Sequence, residues 1–492
     1  MKTNNTNSAF NTKRGFSPVT GASFPTRPEP LLRWSSLACA ALLVLRSALA
    51  QSTNGDSTAT LTTADANSTT TTSFNSTGHW SPSVVPKAGY VYIVDIAGGN
   101  DLRTPANGTS YTFGGDALTI NGSAASAASP CYFDIKSTAG AVITVSNLIF
   151  TQGGGVENGG NASVTLAGNI TLATGGGIFD PQPPPGILNI TAPISGIGPM
   201  IVGTVTSGNS GGTIILSGNN TYTGGTYFEE THSTTTATYA VASGNTTGSE
   251  IIQLGNLSAL GNTTNSVVMS NGILDLHGFS PTVGSLSGLG GAIANLDPAN
   301  SAVTLTIGNG GYGGGTFSGI IRNTFTSSTG TVGLTMAGSG TTITLNGANT
   351  YTGMTTVSAG TLAVNSPGSL NVSGSVSVDA GATLAGTGTV GNATISSGGN
   401  ISGSLTLSSL TFSGFSTMSV TQGTSFTATN LTANGSTASV TINAVGSATW
   451  PDGAYPLITY SGSIGGTATR FPRAIRQVYV RVSRWSIQTV ET

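Results

Sequence analysis

The sequence predicts an all-β fold, a right-handed parallel β-helix (β-solenoid) with irregular loop insertions. Three observations predict it. Short apolar/polar alternations of period two, the pattern of a strand with one buried face, recur from about residue 90 to 465. Turn residues separate them: glycine makes up 72 of the 492 residues, without the Gly-X-Y period of collagen. One stretch also occurs twice, SGNNTYTGGT at 217–226 and NGANTYTGMT at 346–355. Each copy follows a short strand pattern, Thr213-Ile214-Ile215-Leu216 and Thr342-Ile343-Thr344-Leu345. A repeated strand-turn unit in a chain of this texture points to stacking, because such a unit buries its apolar side only against its neighbours.

The two copies share the pattern L-x-G-x-N-T-Y-T-G-x-T, and the second continues through Ala359-Gly360-Thr361-Leu362. This pattern resembles the autotransporter-associated β-strand repeat, also called the passenger-associated transport repeat, at about 211–228 and 341–364. The first copy departs after Phe228, where Glu229-Glu230-Thr231-His232 replaces the second strand, so an insertion is expected there. LDLHGFSPTVGSLSGLG at 274–290, LTIGNGGYGGGTFSGII at 305–321 and GATLAGTGTV at 381–390 resemble the spacer sequence of such proteins. The resemblance implies a passenger-like secreted protein, a cell-surface scaffold or adhesin-like in role. It implies no particular activity, because these repeats accompany unrelated passengers. No stretch after residue 364 has the size or pattern of an outer-membrane barrel, so no transmembrane barrel is expected in this chain.

Taken in order, residues 1–50 read as a signal peptide. Lys2, Lys13, Arg14, Arg27 and Arg33 form a basic n-region, LACAALLVL at 37–45 a short apolar core, and Ala48-Leu49-Ala50 a cleavage site. Nine apolar residues are too few to cross a bilayer core that needs about 20. Secretion to the cell surface or beyond, with cleavage after Ala50, is the expected localisation. Cleavage would remove Cys39 and leave Cys131 alone, so no internal disulfide is expected; Cys131 reads as a small buried hydrophobe. Residues 51–86 are rich in Ser, Thr and Asn and read as a solvated leader.

Residues 87–466 are the solenoid, with strands expected at 90–96, 117–120, 141–145, 163–166, 267–269, 303–307, 375–378 and 438–442. Pro183-Pro184-Pro185 reads as an extended connector. The texture breaks at 467–492, where Arg470, Arg473, Arg476, Arg481 and Arg484 cluster. This basic tail reads as an atypical, out-of-frame ending, although Val478, Val480 and Val482 alternate well enough to add one strand.

Charged residues are only 7% of the chain. Between 51 and 469 the cations are Lys87, Arg103, Lys136 and Arg322 against fifteen acids, a net charge of −11. Such a body lacks the basic footprint of a nucleic-acid binder. Scarcity of charge suits a solenoid, where like side chains stack about 4.8 Å apart and stacked like charges repel. Thr, Ser and Asn columns hydrogen-bond instead. On that view Tyr222 and Tyr351 are stacked corner positions.

The search for chemistry assigns no catalytic, cofactor-binding or metal residue, and no cofactor is expected. His79, His232 and His277 lack neighbours at ligand spacing. Asp275 and His277, two apart on a strand, are expected to pair. Glu229, Glu230 and His232 form a polar cluster in the inserted loop, read as solvated. The glycine run at 308–315 has Gly315 where a calcium-binding nonapeptide repeat needs aspartate. A β-helix polysaccharide hydrolase would need paired carboxylates, and no carboxylate cluster stands out beyond that loop. A lyase would need a cationic base, and Arg322 is the sole cation from 137 to 469. The expected partner is an extracellular ligand, a polysaccharide or a host or matrix surface; a polysaccharide-binding or polysaccharide-degrading β-helix is the alternative.

Overall fold

A computed structural model of the chain describes residues 55–63, 69–95, 101–122, 131–138, 140–160, 162–182, 185–203, 211–228, 250–325, 330–434, 440–445, 453–466, 477–483 and 486–491. Alternations such as TIIL, IIQL and SVSV form strands with the apolar residues inward: Ile214, Leu216, Ile252, Leu254, Val376 and Val378 are buried. Strands of four residues cannot bury that side alone. Each does so in parallel register on the strand one turn of the chain later. No α-helix occurs among the described residues, and the sheets are open.

The chain winds as a three-sided coil. Ser163–Leu172 runs along a first face to Leu166, bends, and follows a second face from Ile170 to Leu172. Gly177–Asp180 makes the third face, and Ile187–Ile190 returns to the first, pairing with residues 163–166. The bend lies at Gly168, with φ +107°, where a Cβ would collide with the carbonyl oxygen of Val145 on the preceding turn. Only glycine fits there.

Each face is a continuous stack. On the first, Ile187–Ile190, Thr213–Leu216, Ile251–Leu254, Ile273–Asp275, Ala292–Ala294 and Ile320–Ile321 follow one another, and Ala348, Ser369 and Thr389 continue it as single bridges. The third runs from Leu102–Arg103 to Ser285–Ser287, crosses the Gly288–Phe317 bridge, and goes on to Val440–Val445. On the second, one outward column reads Thr282, Thr306, Thr335, Thr356, Ser377, Thr394, Thr411 and Thr432, in register over eight turns. Side-chain bonds link other columns, as from Ser409 to Asn392 at 2.8 Å and Ser463 to Asn430 at 2.9 Å. The expected hydroxyl and amide columns are therefore present.

A turn takes 17 residues where Thr389 pairs with Thr406, 22 where Ile251 pairs with Ile273, and 38 where Thr213 pairs with Ile251. The last is lengthened by the insertion expected after Phe228; its residues 229–249, with Glu229, Glu230 and His232, lie outside the described residues. So do residues 1–50, where a signal peptide is expected, Pro183 and Pro184, and residues 467–476 of the tail.

Both ends of the stack differ from its middle. Residues 51–86 are not simply a solvated leader: Ser57–Leu61 pairs in parallel with Tyr90–Val94 and antiparallel with Trp80–Ser81. Ala59, Leu61, Phe74 and Trp80 are buried, and the Trp80 ring meets Tyr92 edge-on at 4.7 Å while Phe74 stacks on Phe133 at 5.5 Å. These four apolar residues reach the core from a stretch whose average composition is polar. At the other end, Gln477–Ser483 pairs antiparallel with Gly453–Tyr460, and Ser486–Glu491 pairs antiparallel with it in turn. The one strand expected from the valine alternation is thus a hairpin.

Candidate functional site

Two groups of residues stand out from the regular stack. The first is the repeated motif. Asn349 is buried; its Oδ1 accepts the Ile321 N–H on the turn before at 2.9 Å, and its Nδ2 donates to the Ser369 carbonyl on the turn after at 3.1 Å. Asn220 does the same, accepting from the Ile194 N–H at 2.8 Å and donating to the Ala259 carbonyl at 2.7 Å. Where a corner interrupts the backbone ladder, one side chain carries the hydrogen bonding from turn to turn, so the buried backbone groups stay paired. Two residues on, the Tyr222 and Tyr351 rings are buried, with hydroxyls 2.6 Å from Thr226 Oγ1 and 2.7 Å from Thr355 Oγ1. Burial pushes both phenols well above their ordinary range.

These tyrosines do not stack on one another. Thr221 and Thr223 bond to Ile194 and Gly196 on the second face, whereas Thr350 bonds to Ile321 on the first. The first copy runs from a first-face strand, Thr213–Leu216, to a third-face strand, Thr226–Phe228; the second runs from the third face, Thr342–Leu345, to the second, Thr355–Val357. Between the copies the chain passes from Thr213 through Ile251, Ile273, Ala292 and Ile320 on the first face, then crosses two further faces. The spacing is therefore not a whole number of turns. The motif needs a strand, a corner and a later strand, and different faces supply them in the two copies.

The second group was not expected. Arg103, Asp134, Glu157 and Asp180 lie in register on successive turns of the third face. Phe133 and Phe179 belong to the core, so by alternation Asp134 and Asp180 point outward; yet they are only 2% and 0% exposed. Arg103 Nε lies 3.2 Å and Lys136 Nζ 3.1 Å from Asp134 Oδ2, and Arg103 Nη2 is 3.3 Å from Asp101 Oδ2. Gln182, at φ +59°, donates from Nε2 to Glu157 Oε1 at 2.7 Å and to Asp180 Oδ2 at 3.2 Å. Asp134 Oδ1 and the Tyr132 hydroxyl are buried without hydrogen-bond partners. Burial, then the charges of Asp134 and Asp180, pushes the Glu157 carboxyl up to about 8. Burial also raises Asp134 against the pull of Lys136 and Arg103. The expectation of no carboxylate cluster outside the inserted loop is corrected here. The signal was present: Asp134, Glu157 and Asp180 are each 23 residues after the last, one turn of the coil.

The other candidates make local contacts. His277 Nδ1 is 3.2 Å from Asp275 Oδ2, the pairing expected, but His277 has left the strand at φ +43°. Asp275 Oδ1 accepts the N–H groups of His277 at 2.9 Å and Leu296 at 2.8 Å, which closes the turn. Arg322 lies over the Phe325 ring at 4.1 Å and donates to the Thr324 carbonyl. Cys131 is buried. Among the described residues no three His, Cys, Asp or Glu side chains are grouped to hold a metal ion.

The fold defines the class, a parallel β-solenoid in which buried Asn220 and Asn349 each join a corner from turn to turn. The model of the passenger-associated transport repeat matches residues 209–230 and 334–364, the two stretches that carry the Asn–Tyr–Thr arrangement, and the chain carries these repeats. No curated protein and no solved structure matches the chain.

Proposed function

We propose that this chain is a secreted, non-catalytic bacterial surface scaffold, adhesin-like, whose sparsely charged outer faces bind an extracellular ligand such as a polysaccharide. The two transport repeats within one parallel stack carry this reading. A groove lined by Ser339, Thr341, Ser358, Gly360, Thr361 and Thr383 presents hydroxyl and backbone groups with no charge, which suits a neutral, hydroxyl-rich ligand. The alternative, a polysaccharide-degrading β-helix, draws on the stacked carboxylates. Glycoside hydrolysis needs two carboxyls flanking the scissile bond, and Asp134 and Asp180, at 2% and 0% exposure, leave no room for a sugar ring.

The purified chain, presented to immobilised polysaccharides and matrix proteins, is expected to be retained by one class without turning it over. Antibody labelling of intact cells is expected to detect it outside. Hydrolysis of a polysaccharide that Glu157→Gln abolishes would establish the enzyme instead.

A further inference from the structure

Among the described residues two aromatic residues are exposed, Tyr312 at 59% and Phe415 at 66%. Both lie on one edge of the coil, where the chain turns from the second face to the third. Tyr312 falls between Ala302–Ile307 and Gly315–Phe317, and Phe415 between Thr406–Ser413 and Ser416–Thr421. The corners between them are residues 337–341, 358–360, 379–382 and 397–399. Phe415 is therefore five turns after Tyr312, about 24 Å along the stack at about 4.8 Å per turn. The backbone pins each one. Asn309 and Tyr312 exchange N–H···O bonds at 3.2 Å, and at Gly338, on the next turn, a Cβ would collide with the Tyr312 carbonyl oxygen. The Phe415 carbonyl accepts the Gly398 N–H of the turn before at 2.6 Å. Aromatic groups held in this way lose little freedom when a ligand packs on them.

Between the two rings the edge is recessed. The corner after Val357 takes three residues to reach Thr361, whereas the one before it takes five, from Met336 to Thr342, and the one after it four, from Val378 to Thr383. Residues 358–360 are accordingly half-buried, and Ser339, Gly340, Ala380 and Gly381 stand exposed on either side. This is the hydroxyl-lined groove, with a volume of about 360 Å³, at the small end of ligand sites. Thr341 Oγ1 and Ser358 Oγ donate to the Gly338 and Met336 carbonyls at 2.8 and 3.0 Å, so toward a ligand both hydroxyls act as acceptors. Neither Lys nor Arg occurs from 323 to 469. The one acid from 308 to 415, Asp379, is half-buried and accepts from Ser377 Oγ at 3.3 Å.

We propose that this edge, from Tyr312 to Phe415, is a binding track for a neutral, linear, β-linked hexose polymer laid along the stack; the inference rests on the reading that the chain binds an extracellular polysaccharide. In an extended β-linked hexose chain each ring advances by close to one strand spacing, so one ring falls on each turn. Tyr312 and Phe415 take the apolar C–H faces of rings at the two ends of the track. The rings between them sit over the groove and donate their hydroxyls to Thr341 and Ser358. An acidic polymer gains no ion pair here and gives up the hydration of its carboxylates.

Titration calorimetry of the full chain with β-linked gluco-, manno- and galacto-oligosaccharides of graded length, and with an acidic polysaccharide beside them, tests the proposal. Affinity for one neutral series is expected to rise with length until the oligomer spans both rings, about five units at one per turn, and then to level off. Tyr312→Ala and Phe415→Ala are each expected to weaken the longest oligomer about tenfold. Met354→Ala, at a residue 55% exposed where the chain enters the second face, is expected to change nothing. Should either aromatic variant not fold, Ala380→Glu decides it: a charge on the exposed groove wall is expected to weaken binding, and an unmoved affinity counts against the track. Wild-type chain that binds a neutral series equally well after both aromatic substitutions overturns the track and leaves the scaffold reading standing. Preference for the acidic polymer overturns the neutral ligand, and wild-type chain that binds no saccharide overturns the polysaccharide reading together with the track.

Discussion

Asn349 makes three hydrogen bonds from a buried site, to the Ile321 N–H, the Ser369 carbonyl and the Gly347 carbonyl. Asn349→Ala leaves the buried Ile321 N–H unpaired, while the Ser369 carbonyl keeps the backbone N–H of residue 349 at 2.9 Å, so a loss of about 2 kcal/mol is expected in equilibrium unfolding. Asn392→Ala, at an exposed position of the second face, is expected to stay within about 0.5 kcal/mol. Equal effects would show that the asparagine is a local turn residue only. Tyr351→Phe removes one buried hydroxyl pair with Thr355 and is expected to cost about 1 kcal/mol. The motif was legible in the sequence, but the role of its asparagine was not. Asn beside Gly is ordinary turn chemistry, and what separates the two uses is a partner 26 or 28 residues away. The ladder acids were missed for the same reason. Their spacing has meaning only once the length of a turn is known, and the turns of this coil are unequal.

Strands between turn residues were legible along the whole body because alternation is a local property. Ends were less so. Ser163–Leu172 was expected to stop at 166, and the corner at Gly168 shows why: a bend inside one strand is invisible when alternation resumes on the far side. The stretch 51–86 failed differently, since Leu61, Phe74 and Trp80 are spread thinly through a polar sequence. Trp80 buries its ring and donates its indole N–H to the Ser73 carbonyl at 2.7 Å, so Trp80→Ala is expected to cost about 3–5 kcal/mol. The loss should fall on the first turns, read as faster exchange at 57–61 and 90–94. No change there would return the segment to the status of a leader. The hairpin from 477 to 491 covers the edge of Gly453–Tyr460, a place where an exposed strand invites association. Deleting residues 467–492 is expected to raise self-association in analytical ultracentrifugation, and an unchanged sedimentation profile would make the tail dispensable.

At the scale of the whole molecule, composition and repetition together made the architecture legible: few charges, many glycines, and a strand-turn unit found twice. Face assignment was not legible, because a motif that fits more than one corner says nothing about which corner it occupies. The two repeats occupy different faces of the coil, and only the pairing of each strand with its neighbours places them. That pairing stacks each turn in parallel on the one before, and on the second face it holds one register from Thr282 to Thr432. Spin labels at Thr306 paired with labels at Thr394, Thr411 or Thr432, with Cys39 and Cys131 replaced, measure it directly. These positions are four, five and six turns apart in one column, which predicts separations of about 19, 24 and 29 Å at about 4.8 Å per turn. Distances that fail to grow by one strand spacing per turn would contradict the stack.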